Sequence, residues 1–374
     1  MHRTQGAPCP AKARTCPGFP ESSWISGPPG EAPVPMTVGR GTPLGPGAEF
    51  DRIRGFLDGL SEAPGVRVGP GDDGAVLEDG TVLSSDLSIE GTHFRLDWVS
   101  PEEAGYRATA AALSDLAAMA ARPLGVLVSV AVPAPGTLSA PIMAGVRAAA
   151  AAAGAPLLGG DLTRSPGPAV VDVMVVGRAD PPLLRSGARP GDELWVTGTL
   201  GAAAAALEAW GAGRTPDPRA RYAFCRPVPR IEEARWLVRE AGARAGLDLS
   251  DGIAGDAAHL AAASGVGIEL DAEALLQVAH RLPGETGDAA LGAALRRALH
   301  GGEDFELLVV LPPGEGEARV EEFRRRFDLP LSPVGQVGVG HGVRLRPRGG
   351  APPQPLSAGG WDHFATGQGG SELP

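Results

Sequence analysis

The stretch Gly71–Asp86, GDDGAVLEDGTVLSSD, constrains the chain more than any other. It reads as two short strands joined by the Glu78-Asp79-Gly80 turn, a β-hairpin whose return brings Asp73 near Ser84, Ser85 and Asp86. Carboxylates gathered in this way repel one another unless a cation sits among them, and an all-oxygen set suits Mg²⁺. Asp and Gly also make plain solvated turns, so the reading depends on what the rest of the chain adds.

What the chain lacks narrows its chemistry. Lys12 is the only lysine among 374 residues, and it lies in a segment rich in Pro, Gly and Ser. A Walker A loop, a protein-kinase strand lysine and a pyridoxal Schiff base each need a lysine in the folded part, so all three are excluded. Any nucleotide phosphate must be neutralised by metal ions and arginine. The formal charge of −11 argues against nucleic-acid binding. Three cysteines form no disulfide framework or zinc pattern, and no apolar run is long enough to span a membrane. No signal-peptide pattern opens the chain, so a cytoplasmic location is expected.

Residues 1–46 show no helix or strand period and are expected to be a disordered extension, with Met36 a candidate start. A helix signal begins near Glu49. Ser100-Pro101-Glu102-Glu103 combines an N-cap, a proline at the first position and a capping-box glutamate, and predicts a helix to Met119. Asp115 sits in its apolar stretch, where a carboxylate is costly unless paired or metal-bound. A strand over Val126–Val132, a helix over Leu138–Ala153 and a strand over Pro156–Leu158 follow, then a loop Gly159–Arg164 carrying Gly160 and Asp161. The character changes at Asp180-Pro181-Pro182, which is read as a domain boundary. In the second half, Gly198–Gly201 resembles a weak phosphate loop before a helix. Asp248, Ser250 and Asp251 fall where a strand end meets a helix start.

Taken together, GDDGAVL, SSDLSIEGTHF, LSDLAAMAARPLG, GGDLTRS, RSGARPGD, VTGTLG, LDLSDGIAGD, GGEDFELL and GWDHF resemble, in order, the motifs of the thiamine-monophosphate kinase family. That family belongs to the aminoimidazole-ribonucleotide-synthetase-like ATP-binding superfamily. The resemblance covers Glu49 to Phe364 and implies a two-domain α/β (α+β) fold. Residues 47–181 would form the N-terminal ATP- and Mg-binding, dimerising domain, residues 182–366 a C-terminal α+β domain, and 367–374 a tail. It further implies a homodimer that pairs its N-terminal sheets, with ATP as co-substrate, several Mg²⁺ ions, and thiamine monophosphate as acceptor.

By the same resemblance, Asp73, Ser84, Ser85, Asp86, Asp115, Asp161, Asp248 and Asp251 are metal ligands. Gly160, Asp161, Arg185 and Ser250 meet ATP, while His93, Glu303 and Trp361 meet thiamine phosphate. No catalytic residue beyond the metal ligands is implied. Ala112, Ala120 and Leu162 stand where the family usually has Asn, Gly and Thr. The chemistry agrees with these residues. A phosphate acceptor with a second pKa near ~6 is already largely ionised at neutral pH, so phosphoryl transfer needs charge neutralisation and in-line placement more than a general base. Alternatives are another ATP-dependent enzyme of the superfamily and a catalytically silent nucleotide-binding protein.

Overall fold

The computed structural model describes residues 41–357 together with Thr37, Val38, Gly359, His363 and Phe364. In the first half, β1 (Thr37–Val38) pairs in parallel with β2 (Ser61–Glu62), with α1 (Ala48–Leu57) between them. Next come β3 (Val66–Val68), β4 (Ala75–Leu77), β5 (Thr81–Ile89), α2 (Pro101–Ala118) and β6 (Arg122–Val132). After these lie α3 (Ser139–Ala152), β7 (Leu157–Arg164) and β8 (Val170–Arg178). Six of these strands form one sheet in the order β3-β4-β5-β8-β6-β7.

Strand alternation decides which face of this sheet is the core. Val171, Val173 and Val175 of β8 and Val126, Val128 and Val130 of β6 point to one side and are buried. Each such side chain stabilises the fold by ~1.5–3 kcal/mol relative to exposure. The helix they pack against is α2. Its start is as the sequence predicts: Ser100 caps Glu103, Glu103 returns the bond, and Pro101 opens the first turn. Buried residues surround α2 on nearly every side, which marks a central helix. Gly145 of α3 lets the two helices touch backbone to backbone, since a Cβ there would lie 1.8 Å from the Glu102 carbonyl oxygen.

The second half contains β9 (Glu193–Thr197), α4 (Ala202–Gly211), α5 (Pro218–Cys225), α6 (Ile231–Glu240), β10 (Ala245–Asp248) and α7 (Ile253–Ser264). It continues through β11 (Gly267–Asp271), α8 (Ala272–Val278), α9 (Gly287–His300), β12 (Leu307–Leu311) and α10 (Glu315–Phe327). It ends with β13 (Leu331–Gly338), β14 (Gly342–Arg346) and β15 (Gln354–Pro355). Its sheet runs β10-β12-β9-β13-β11-β14-β15. Among the described residues no helix is long and apolar enough to cross a membrane.

Two expectations need correction. Gly159–Arg164 is not a loop: it belongs to β7, paired in parallel with β6 from Val126 to Val132. The glycines mark close approach, since a Cβ on Gly160 would fall 1.8 Å from the Val128 carbonyl oxygen. Residues 41–46 are not a free tail either. The Thr42 backbone N–H donates to the Pro70 carbonyl at 2.9 Å, and its hydroxyl donates to Asp72 at 3.0 Å. Residues 1–36, 39 and 40 lie outside the described residues, as does Trp361.

Candidate active site

Three elements distant in sequence deliver one acidic cluster. Asp73 precedes β4, Asp115 lies in the last turns of α2, and Asp248 ends β10. Each offers a carboxylate oxygen within 4.8 Å of the others. At an effective dielectric near 20, each ionised pair at this spacing repels by on the order of 3 kcal/mol. Burial worsens the problem: it pushes Asp248 up to about 7, with Asp73 adding to the rise. Burial likewise holds Asp115 well above the usual range, helped by Asp248, Asp73 and Asp86. Such a cluster either keeps protons or takes a cation.

The surrounding contacts fix the carboxylates, but Arg185, a single cation, cannot offset all three charges. The Ser84 hydroxyl donates to Oδ2 of Asp115 at 2.5 Å. Arg185 reaches Oδ1 of Asp73 from Nε at 3.2 Å and from Nη2 at 2.5 Å. Its backbone N–H meets Asp72, whose pKa burial and Asp73 raise to about 6. Burial disfavours the Arg185 charge, but Asp73 and Asp72 outweigh that and raise its pKa. Oδ2 of Asp73 is buried with no hydrogen-bond partner. An orphaned carboxylate oxygen in an all-oxygen donor set fits Mg²⁺.

Beside the cluster lies a cavity of about 250 Å³ whose lining includes Asp86, His93, Arg107, Arg185, Ser250 and Asp251, with Glu303 and Phe305 beyond them. Burial pushes Asp86 up to about 6, Glu303 pushes it further, and Arg107 opposes both. His93 accepts from the Ile89 backbone N–H at 3.0 Å, and burial lowers its pKa, so it is a neutral ring at pH 7. Glu303 lines the same cavity as His93, but it arrives already paired with Arg107. A larger cavity of about 1020 Å³ opens elsewhere, around Arg219, Arg230 and His280. The smaller cavity is instead lined by Arg185, which holds Asp73, and by Ser250 and Asp251, which follow Asp248 in the chain, so it is the chemically relevant one.

Three expected site residues stand apart. Ser85 points to the opposite face of β5 from Ser84 and donates to Asp172 at 2.9 Å, so its hydroxyl is not in the cluster. Asp161 and Gly160 lie on the exposed edge strand β7, three strand spacings or about 14 Å from β5. The phosphate-loop-like Gly198–Gly201 is also already filled, because the Asp304 carboxylate accepts from the Gly201 N–H at 2.8 Å. Arg107, Asp256 and His259 line the cavity and were not singled out from sequence. Arg107 had a legible signal. It sits eight residues before Asp115, on the same face of the same apolar helix.

The comparisons give the family. Residues 71–179 match the AIR synthase related protein N-terminal domain, and residues 189–347 match the corresponding C-terminal domain. The thiamine-monophosphate kinase of Rhodopirellula baltica is 34% identical over 291 residues, covering 74% of this chain and 85% of that protein. The chain belongs to the thiamine-monophosphate kinase family. The kinase of Mycobacterium tuberculosis is 37% identical over 268 residues, 70% of this chain and 79% of that one. Among solved structures, the thiamine-monophosphate kinase of Stenotrophomonas maltophilia superposes with a TM-score of 0.65 at 33% identity, covering 81% and 96% of the two chains. A structure of AaThiL complexed with AMPPCP and TMP gives a TM-score of 0.68 at 28% identity, covering 84% and 96%. Hydrogenase maturation protein HypE, at 17% identity and a TM-score of 0.60, shares the kinase fold alone.

Proposed function

We infer that this chain transfers the γ-phosphoryl group of ATP to thiamine monophosphate, giving thiamine diphosphate and ADP. The observation that carries the reading is the coincidence of family membership with an intact acidic cluster beside the cavity. Asp73, Asp115 and Asp248 would hold Mg²⁺, with Ser84, Asp86 and Asp251 close by. Bound there, Mg²⁺ neutralises phosphate charge and templates the two anions. The protein's own part is positional: Ser84 fixes the Asp115 carboxylate, and Arg185 fixes Asp73. In-line phosphoryl transfer depends on such preorganisation. His93, Glu303 and Trp361 are assigned to the acceptor, and Arg185 and Ser250 to ATP.

Gly160, Asp161 and the Ser85 hydroxyl stand apart from this cluster. We assign Gly160 and Asp161 to ATP bound near a homodimer interface made by the uncovered face and edge of the first sheet. That surface is apolar: Leu87, Leu158, Leu162 and Met174 are all between 44% and 62% exposed. The domain boundary is placed at Asp180–Pro182, and the location is proposed to be cytoplasmic. Purified protein given ATP, Mg²⁺ and thiamine monophosphate should form thiamine diphosphate. ATP hydrolysis without that product would overturn the assignment.

A further inference from the structure

We propose that Arg107 binds the phosphate of the acceptor substrate and that Glu303 is the positioning residue that aims it. This rests on the activity proposed above and adds a residue to it. The cavity is lined by five carboxylates, Glu49, Asp86, Asp251, Asp256 and Glu303, against two arginines and no lysine. A phosphate entering such a lining needs a fixed cation on the protein side. Arg185 grips Asp73 from both Nε and Nη2 and is assigned above to ATP. Arg107 is the other.

Its setting is a built one. The side chain is 6% exposed, its Nη1 donates to the Phe224 carbonyl at 2.8 Å, and its Nη2 donates to Glu303. The guanidinium carbon lies 3.8 Å from the centre of the Phe224 ring, a stacking contact open to arginine and poorly reproduced by lysine. A guanidinium has five N–H donors, and these two bonds leave others for a ligand in the cavity that Arg107 lines.

The loop that supplies Glu303 is bent to do so. Glu303 has φ 64° and Phe305 φ 50°, left-handed values that side chains seldom adopt. They persist because Glu303 N–H donates to the Ser250 carbonyl at 2.8 Å and Phe305 N–H to the Leu249 carbonyl at 2.9 Å. The carboxylate is therefore delivered to Arg107 by the same strand end that carries Ser250 and Asp251. A glutamate paired in this way is not a free counter-charge for the substrate's cationic ring.

Thiamine monophosphate and thiamine differ only in the phosphate, so their affinities separate the two roles. Calorimetric titration of each into the wild type, Arg107→Lys and Glu303→Gln is the test, with Mg²⁺ and a non-hydrolysable ATP analogue present. Arg107→Lys should weaken thiamine monophosphate by at least ~10-fold and leave thiamine within about twofold, the loss expected for a charge-assisted hydrogen bond. Glu303→Gln should show the same selective loss. Equal weakening toward both ligands, in either variant, would overturn the inference. A wild type that binds neither ligand would remove the proposed activity instead. Should Arg107→Lys fail to fold, Glu303→Gln decides alone.

Discussion

Arg185 grips Asp73 across 112 residues of sequence, with Nη2 2.5 Å from Oδ1. The contact joins the segment following the first sheet to the hairpin that opens it. It also leaves Oδ2 of Asp73 buried and without a partner, in a residue that offers a carboxylate oxygen within 4.8 Å of Asp115 and Asp248. A carboxylate held on one side and orphaned on the other has the geometry a cation ligand needs.

The first prediction concerns pH. Burial, and neighbouring Asp73, raise Asp248 to about 7 and Asp72 to about 6, while burial and Glu303 raise Asp86 to about 6. The unfolded chain loses these protons near its ordinary carboxylate value, so the metal-free fold binds more protons between about pH 4 and pH 7. Its stability therefore falls as pH rises through that window. Mg²⁺ bound at the cluster would take the place of the protons and should restore it, releasing protons on binding. The Tm gain on adding Mg²⁺ should be larger near pH 8 than near pH 5. A gain independent of pH would mean the metal binds elsewhere.

A second prediction comes from Ala120. The resemblance places a glycine there in most relatives, and the structure supplies the reason: Ala120 has φ 52° at the end of α2. Left-handed backbone costs an alanine about 1 kcal/mol relative to glycine. Ala120→Gly should raise stability by about 0.5–1 kcal/mol, read as a higher midpoint in denaturant at unchanged slope. A lower midpoint would show that the buried methyl contributes more than the strain costs.

The third prediction is about assembly. Leu87 and Met174 lie on the uncovered face of the first sheet, 47% and 44% exposed. Sedimentation should show a dimer for the wild type and a monomer for Leu87→Glu combined with Met174→Glu. A charge placed on a homodimer's apolar core is costly to desolvate. A wild-type monomer with full activity would contradict the interface, and with it the role given to Asp161.

Much of this was legible before the fold was known, for local reasons. The boundaries of α2 follow from Ser100, Pro101 and Glu103, and Asp115 announces itself as a charge in an apolar helix. The acidic cluster was readable because each aspartate sits in its own short motif. Other features are properties of pairing rather than composition. Ser85 follows Ser84 in the chain, yet strand alternation turns its hydroxyl to the other face, toward Asp172. Gly159 and Gly160 read as a loop until β6 is laid beside them. Arg107 carried the same signal as Asp115, but its partners Phe224 and Glu303 lie 117 and 196 residues away. Nothing local in the sequence joins them.

The measurement that bears most directly on the acidic cluster is turnover of Asp115→Asn beside the wild type, with ATP, thiamine monophosphate and saturating Mg²⁺. The substitution keeps the shape and one acceptor oxygen for Ser84, and replaces the charge and the other carboxylate oxygen with a neutral NH2 donor. Thiamine diphosphate formation should fall by at least ~100-fold, on the scale of removing a major electrostatic contributor, while Tm stays at or above the wild-type value. Wild-type activity should also vanish when the divalent cation is chelated. Near-wild-type turnover by a folded Asp115→Asn would contradict the assignment of this cluster to the metal that phosphoryl transfer requires.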